Sequence, residues 1–186
     1  MVLCASAVAA QETSTTIFTD ECAYDRPTLM SLSERDFDQD MSGGWRTLAA
    51  REACLEVAAD LSRDYREDRG LTSAILYWHE GQLRAAAGDV ERAIRLFMES
   101  RVTGNDPYGW NPYVDATIAF LRRDFAALTD ARETLARMPK PDNFPVFDAD
   151  GKPMDVSWPP NLDIVDHLIA CFERDYMTAY GRCEDQ

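Results

Sequence analysis

From residue 43 onward, apolar residues recur at three- and four-residue spacing, in segments broken by turns only a few residues long. No other feature constrains the fold as tightly. The spacing gives each segment a single apolar face when wound as an α-helix. Turns that short force consecutive helices to lie antiparallel and side by side. Seven segments follow this pattern. Gly43-Gly44 opens the first, with Trp45, Leu48 and Ala49 on one face. The second carries Cys54, Ala58, Leu61 and Tyr65 and stops at Arg69-Gly70. The third spans 71–87, and Gly88-Asp89 ends it and caps the fourth, which bears Ile94, Phe97 and Met98. Asn111-Pro112 reads as an N-cap followed by proline at the first helical position. It opens the fifth, with Tyr113, Ala116, Thr117 and Phe120. Asp124 caps the sixth, where Leu128, Ala131 and Leu135 precede Pro139. The last follows Pro159-Pro160-Asn161, and its stripe of Val165, Leu168, Ile169, Phe172 and Tyr176 is the clearest of all.

The expected class is therefore all-α, an array of antiparallel helix pairs repeating every 30 to 40 residues or so. One stretch departs from it. Between Pro139 and Asn161, Phe144 and Val146 precede Asp150-Gly151, and Met154, Val156 and Trp158 follow. Period-two alternation around Asp-Gly predicts a small β-hairpin over 143–158. Its apolar side should lie against the helices with Trp158 packed there, either sealing one exposed end of the array, the favoured reading, or forming one wall of the binding groove.

The N-terminus gives a domain boundary and a compartment. Residues 1–10 are small and apolar, and Ala7-Val8-Ala9 fits the small-x-small pattern of signal cleavage. A basic start and an apolar run of normal length are missing, so 1–10 reads as the end of an export signal. Leu3 before Cys4 argues against a lipoprotein site. Residues 11–42 form a loop-rich extension, and 43–186 form the helical domain. Cys22, Cys54, Cys171 and Cys183 remain, without C-x-x-C spacing. Four cysteines allow three disulfide pairings, and four buried thiols are the other reading. A continuous helix would hold Cys171 and Cys183 about 18 Å apart, so that pair needs a helix break at Gly181. Together these features predict a periplasmic or secreted protein.

Composition removes several functions. The chain has 186 residues, 33 acidic against 19 basic side chains, and a net charge of -14. Such a surface repels phosphate backbones, so nucleic acid is not an expected partner. No apolar run approaches the roughly 20 residues that span a bilayer.

Residues 74–101 resemble a tetratricopeptide repeat. Gly81 stands where the first helix lets its partner approach, Gly88 lies in the turn, and Ala93 and Phe97 sit on the second helix. Residues 110–139 resemble a second copy through Trp110, Ala116, Ala131 and Pro139, with Ala116 in place of the usual glycine. Residues 44–66 fit a degenerate first unit. The resemblance implies a right-handed array whose concave face binds peptides or proteins without catalysis. It places Trp78, Gln82, Tyr113 and Thr117 on that face as the candidate partner-binding groove.

Candidate chemistry is sparse. His79-Glu80 begins like a zinc peptidase motif, but Leu83 stands where the second histidine belongs. Asp36, Asp38 and Asp40 alternate as in a calcium loop, yet Met41 replaces the turn glycine and Thr47 the closing glutamate. Asp148, Asp150 and Asp155 also lack a closing carboxylate. There is no G-x-S-x-G and no glycine-rich phosphate loop. The sequence thus predicts no metal, no cofactor and no catalytic residue, and a peptide or protein as partner, basic or neutral given the chain's acidity. A small secreted hydrolase or metal-dependent enzyme, with a site between hairpin and helices, is the rival expectation. A third is an accessory protein that blocks a partner's active site with its acidic face.

Overall fold

A computed structural model describes residues 20–142, 144, 151–152 and 157–181. Nine α-helices run through these residues: α1 (Arg26–Ser31), α2 (Arg46–Ala49), α3 (Leu55–Asp68), α4 (Ala74–Ala86), α5 (Val90–Glu99), α6 (Trp110–Leu121), α7 (Phe125–Ala136), α8 (Leu162–Ala170) and α9 (Tyr176–Tyr180). Further short helical turns cover Asp20–Cys22, Arg35–Gln39 and Glu52–Cys54. The described residues contain no strand, so the protein is all-α there. The expected hairpin at 143–158 falls mostly outside the described residues. At its described end the Trp158 indole N–H donates to the Met138 carbonyl just beyond α7, at 3.0 Å, and its ring meets Phe144 edge-on.

The helix boundaries follow local chemistry. Asp89 and Asp124 accept hydrogen bonds from the amides of Arg92 and Ala127, as N-caps do. Asn111 does not cap α6. Its amide bridges both backbone groups of Val102, and Asp106 reaches in to accept from the amides of Trp110 and Asn111. A cap five residues upstream is invisible to a search for adjacent Asn-Pro. Asn161 does occupy the cap position of α8, but as a left-handed residue (φ 62°) without a side-chain bond. The long final helix also divides, because the chain turns at residues 171–175 and resumes as α9.

Packing proceeds in neighbouring pairs. α4 lies against α5 and α6 against α7, while α3 backs α4 and α8 closes on α6 and α7. Gly81 makes the first pairing possible. A Cβ there would lie 2.7 Å from Cε1 of the fully buried Phe97 ring. Two hydrophobic cores result. One holds Phe37, Leu48, Leu61 and Tyr65 from the N-terminal part, and the other holds Trp78, Phe97, Tyr113, Phe120 and Leu168. Helix α4 is the wall between them, giving Leu83 to one and Trp78 to the other. Cys22 and Cys54 form a disulfide that ties the N-terminal turn to the start of α3. Cys171 is also disulfide-bonded, while Cys183 lies outside the described residues. No helix among the described residues is long and apolar enough to cross a membrane.

Candidate functional site

An opening with largely apolar walls lies along one edge of α4. It is a groove of ≈ 340 Å³ bounded by Trp45 and Ala49 of the α2 region, Leu55, Gln82, Leu83 and Ala86, and by Tyr176, Met177 and Tyr180 of α9. Among the described residues no charged side chain lines it, although the chain as a whole is strongly acidic. Gln82 is its one amide. Met177, about half exposed, forms the rim.

Of the four expected groove residues, only Gln82 reaches this opening. Trp78 is 3% exposed and packs against Phe97, Trp110 and Tyr113. Tyr113 is 1% exposed, and its hydroxyl bonds that of Tyr180 at 3.0 Å. Thr117 is fully buried and turns its hydroxyl back onto the Tyr113 carbonyl. The correction has a clear cause. α9 folds back against α4, so Tyr176 meets Phe97 and Phe120 while Tyr180 meets Tyr113. Burial pushes the phenols of Tyr113 and Tyr176 well above their ordinary pKa, which keeps both neutral. Helical spacing marks the apolar stripe of 165–176 but does not say that its end turns back.

Two buried polar clusters lie against α4. In the first, the Asp38 carboxylate is 1% exposed and accepts from Trp45 Nε1 at 3.1 Å, while His79 Nδ1 lies 2.7 Å away. Gln39 also donates to it, and Arg46 donates to the Asp38 carbonyl. Burial opposes the Asp38 charge, but these partners, led by the hydrogen bond with His79, outweigh it and hold its pKa below the usual carboxylate value. The calcium-like alternation is thus dispersed: Asp36 bonds Ser33, Asp38 faces His79, and Asp40 bonds Ser42. Among the described residues, no three metal-binding side chains converge.

The second cluster lies between α3 and α4. Glu80 is 3% exposed and pairs with Arg66 at 2.9 Å. Burial raises its pKa, against the opposing pull of Arg66 and Arg84. Arg84, only 1% exposed, donates to Asp60 at 2.6 Å, but its Nε and one terminal nitrogen are buried without a partner. His79 and Glu80, adjacent in sequence, therefore serve separate clusters that hold the N-terminal part and α3 onto α4. The Asp38–His79 pair had no local signal, because its members are 41 residues apart.

Comparison of the chain with known families, with curated proteins and with solved structures finds no match.

Proposed function

We propose that this is an exported, non-catalytic protein built as a tetratricopeptide-like array of helix pairs, and that it binds a peptide or protein segment. The observation that carries this reading is the groove beside α4. It offers apolar walls, one amide and no charge, which suits an uncharged, apolar stretch of polypeptide. The array itself is supported by the close seat of Phe97 on Gly81 and by pairwise packing of α4 on α5 and α6 on α7. Export is supported by the Cys22–Cys54 disulfide, which persists in oxidising compartments.

Selection from a random peptide library tests the binding reading without a known partner. Selected peptides should be apolar in the segment that binds. Met177→Glu, which puts a charge on the groove rim, should weaken them at least about tenfold. Met98→Glu, equally exposed on α5 and away from the groove, should leave them unchanged. A selection that enriches nothing, or peptides indifferent to Met177→Glu, refutes the proposal. Export is tested by cell fractionation with thiol alkylation, where recovery in the cytoplasm with Cys22 and Cys54 both labelled would overturn it.

A further inference from the structure

The apolar groove does not stop at Leu55 and Ala86. Both side chains also line a second, more polar opening of ≈ 650 Å³, whose other walls are Glu52, Ala53, Glu56 and Ala87. The two openings therefore adjoin where α3 starts and α4 ends. Their chemistry differs. Trp45, Leu83, Met177 and Tyr180 line only the first, and Glu52 and Glu56 only the second.

The acidic end is uncompensated. Glu52 and Glu56 are exposed, and among the described residues neither has an ion-pair partner. Asp60 and Asp64, further along α3, both pair with Arg63. Arg51, the cation nearest in sequence, donates instead to the Glu21 carbonyl. Glu56 also suits the positive end of α3, whose first turn it occupies, but Glu52 lies ahead of that helix. The apolar end, in turn, has little with which to select a ligand. The Trp45 indole N–H is bound to Asp38 and the Tyr180 hydroxyl to Tyr113, so both rings give the groove apolar surface. Contact of that kind is non-directional. Orientation and the rejection of wrong partners come from charge.

We propose that the groove and the acidic opening form one polar-ended site, and that its occupant is a polypeptide segment with a short apolar run next to lysine or arginine. This rests on the peptide-binding reading above and gives the bound segment a direction. Its apolar side chains lie against Trp45, Leu83 and Met177, and its cation lies at Glu52 and Glu56. The net charge of -14 draws any basic peptide toward the surface, but only these two carboxylates adjoin the apolar walls.

Peptides selected from the random library on the full chain test this. They should carry lysine or arginine beside the apolar run. Exposed charge pairs are individually weak, so Glu52→Gln with Glu56→Gln should weaken such a peptide by about three- to tenfold at low salt. Raising the salt to about 0.5 M should erase that difference. Both side chains are exposed, so this variant keeps its fold. Glu91→Gln with Asp130→Asn removes equal charge from exposed positions on α5 and α7 and should change affinity by less than about twofold. Glu52→Lys with Glu56→Lys should invert the preference, so that a synthetic copy with glutamate in place of the basic residue binds at least about tenfold better than the original. Selected peptides without basic residues, or equal weakening by the two charge-removing pairs, overturn the acidic end. Sensitivity to Met177→Glu, which touches only the apolar walls, then leaves the groove standing. If nothing is selected, or binding ignores Met177→Glu, the peptide-binding reading fails and the acidic end falls with it.

Discussion

Gly81 and Phe97 allow the helix-pair packing to be tested with a change of sign. A methyl at Gly81 would lie 2.7 Å from Phe97 Cε1 and 2.8 Å from Cδ1, well inside the usual carbon–carbon contact of about 3.5–4.0 Å. The ring cannot easily retreat, since it is fully buried with Trp78 at 4.5 Å and Tyr176 at 6.5 Å between centroids. Overpacking of this kind costs about 1–3 kcal/mol. Replacing a mid-helix glycine by alanine returns about 1 kcal/mol in helix propensity. Gly81→Ala should therefore be neutral to destabilising, by about 0–2 kcal/mol. Phe97→Ala should cost about 3–5 kcal/mol by itself. With the ring gone the clash is gone, so adding Gly81→Ala to Phe97→Ala should stabilise by about 1 kcal/mol. The double-mutant cycle then gives a coupling of about 1–3 kcal/mol. Urea denaturation read at constant m-value measures all four corners. Equal stabilisation by Gly81→Ala in both backgrounds would refute the close crossing.

Three further outcomes are expected. Reducing the Cys22–Cys54 disulfide, which spans a sequence separation of 32, should cost about 3–4 kcal/mol in the chain-entropy model; an unchanged urea midpoint for the Cys22→Ser, Cys54→Ser chain would contradict this. Asp38 and Glu80 should contribute pH dependences of opposite sign. The folded pKa of Asp38 is lowered, so its stabilisation is present above the ordinary carboxylate value and is lost as pH falls through the folded pKa. That of Glu80 is raised, so its contribution falls as pH rises from the ordinary value through the folded one. Asp38→Asn should flatten the acid-side loss and Glu80→Gln the decline above it; denaturation midpoints across pH 3–7 (about the carboxylate range) with unaltered slopes would count against both. Finally, Arg84→Met should be tolerated within about 1 kcal/mol. It deletes two unpartnered buried nitrogens, while Asp60 keeps Arg63 and Glu80 keeps Arg66. A loss beyond about 3 kcal/mol would show that the guanidinium is indispensable.

Much of the fold was legible because its determinants are local. Periodicity set the helices, and Asp89 and Asp124 cap as their positions suggest, since a side chain can reach an amide three residues on. The close approach at Gly81 was anticipated through the tetratricopeptide resemblance of residues 74–101, which left Ala93 or Phe97 as the facing residue; the structure puts Phe97 there. The Cys22–Cys54 disulfide was one of the open pairings, and spacing could not choose among them. The candidate site was less legible. Three of its four expected residues lie in the core, and Tyr176, Met177, Tyr180 and Trp45, which wall the observed groove, were read only as helix-stripe or unassigned residues.

By itself the sequence determined the all-helical class, most helix boundaries, the acidic surface and the small residue at the α4–α5 crossing. Each follows from residues within one or two helical turns of each other, or from composition. Only the tertiary structure decided that the last stripe breaks at Cys171 and folds back, and that Asp38 meets His79 across 41 positions. It also decided that Glu80 and Arg84 lie buried between α3 and α4. Those outcomes depend on which surfaces remain uncovered once the helices have paired, and on the desolvation each buried charge must offset with partners from distant segments. A one-dimensional pattern shows which face of a helix is apolar. What comes to cover that face is settled by the competition of the whole chain for it.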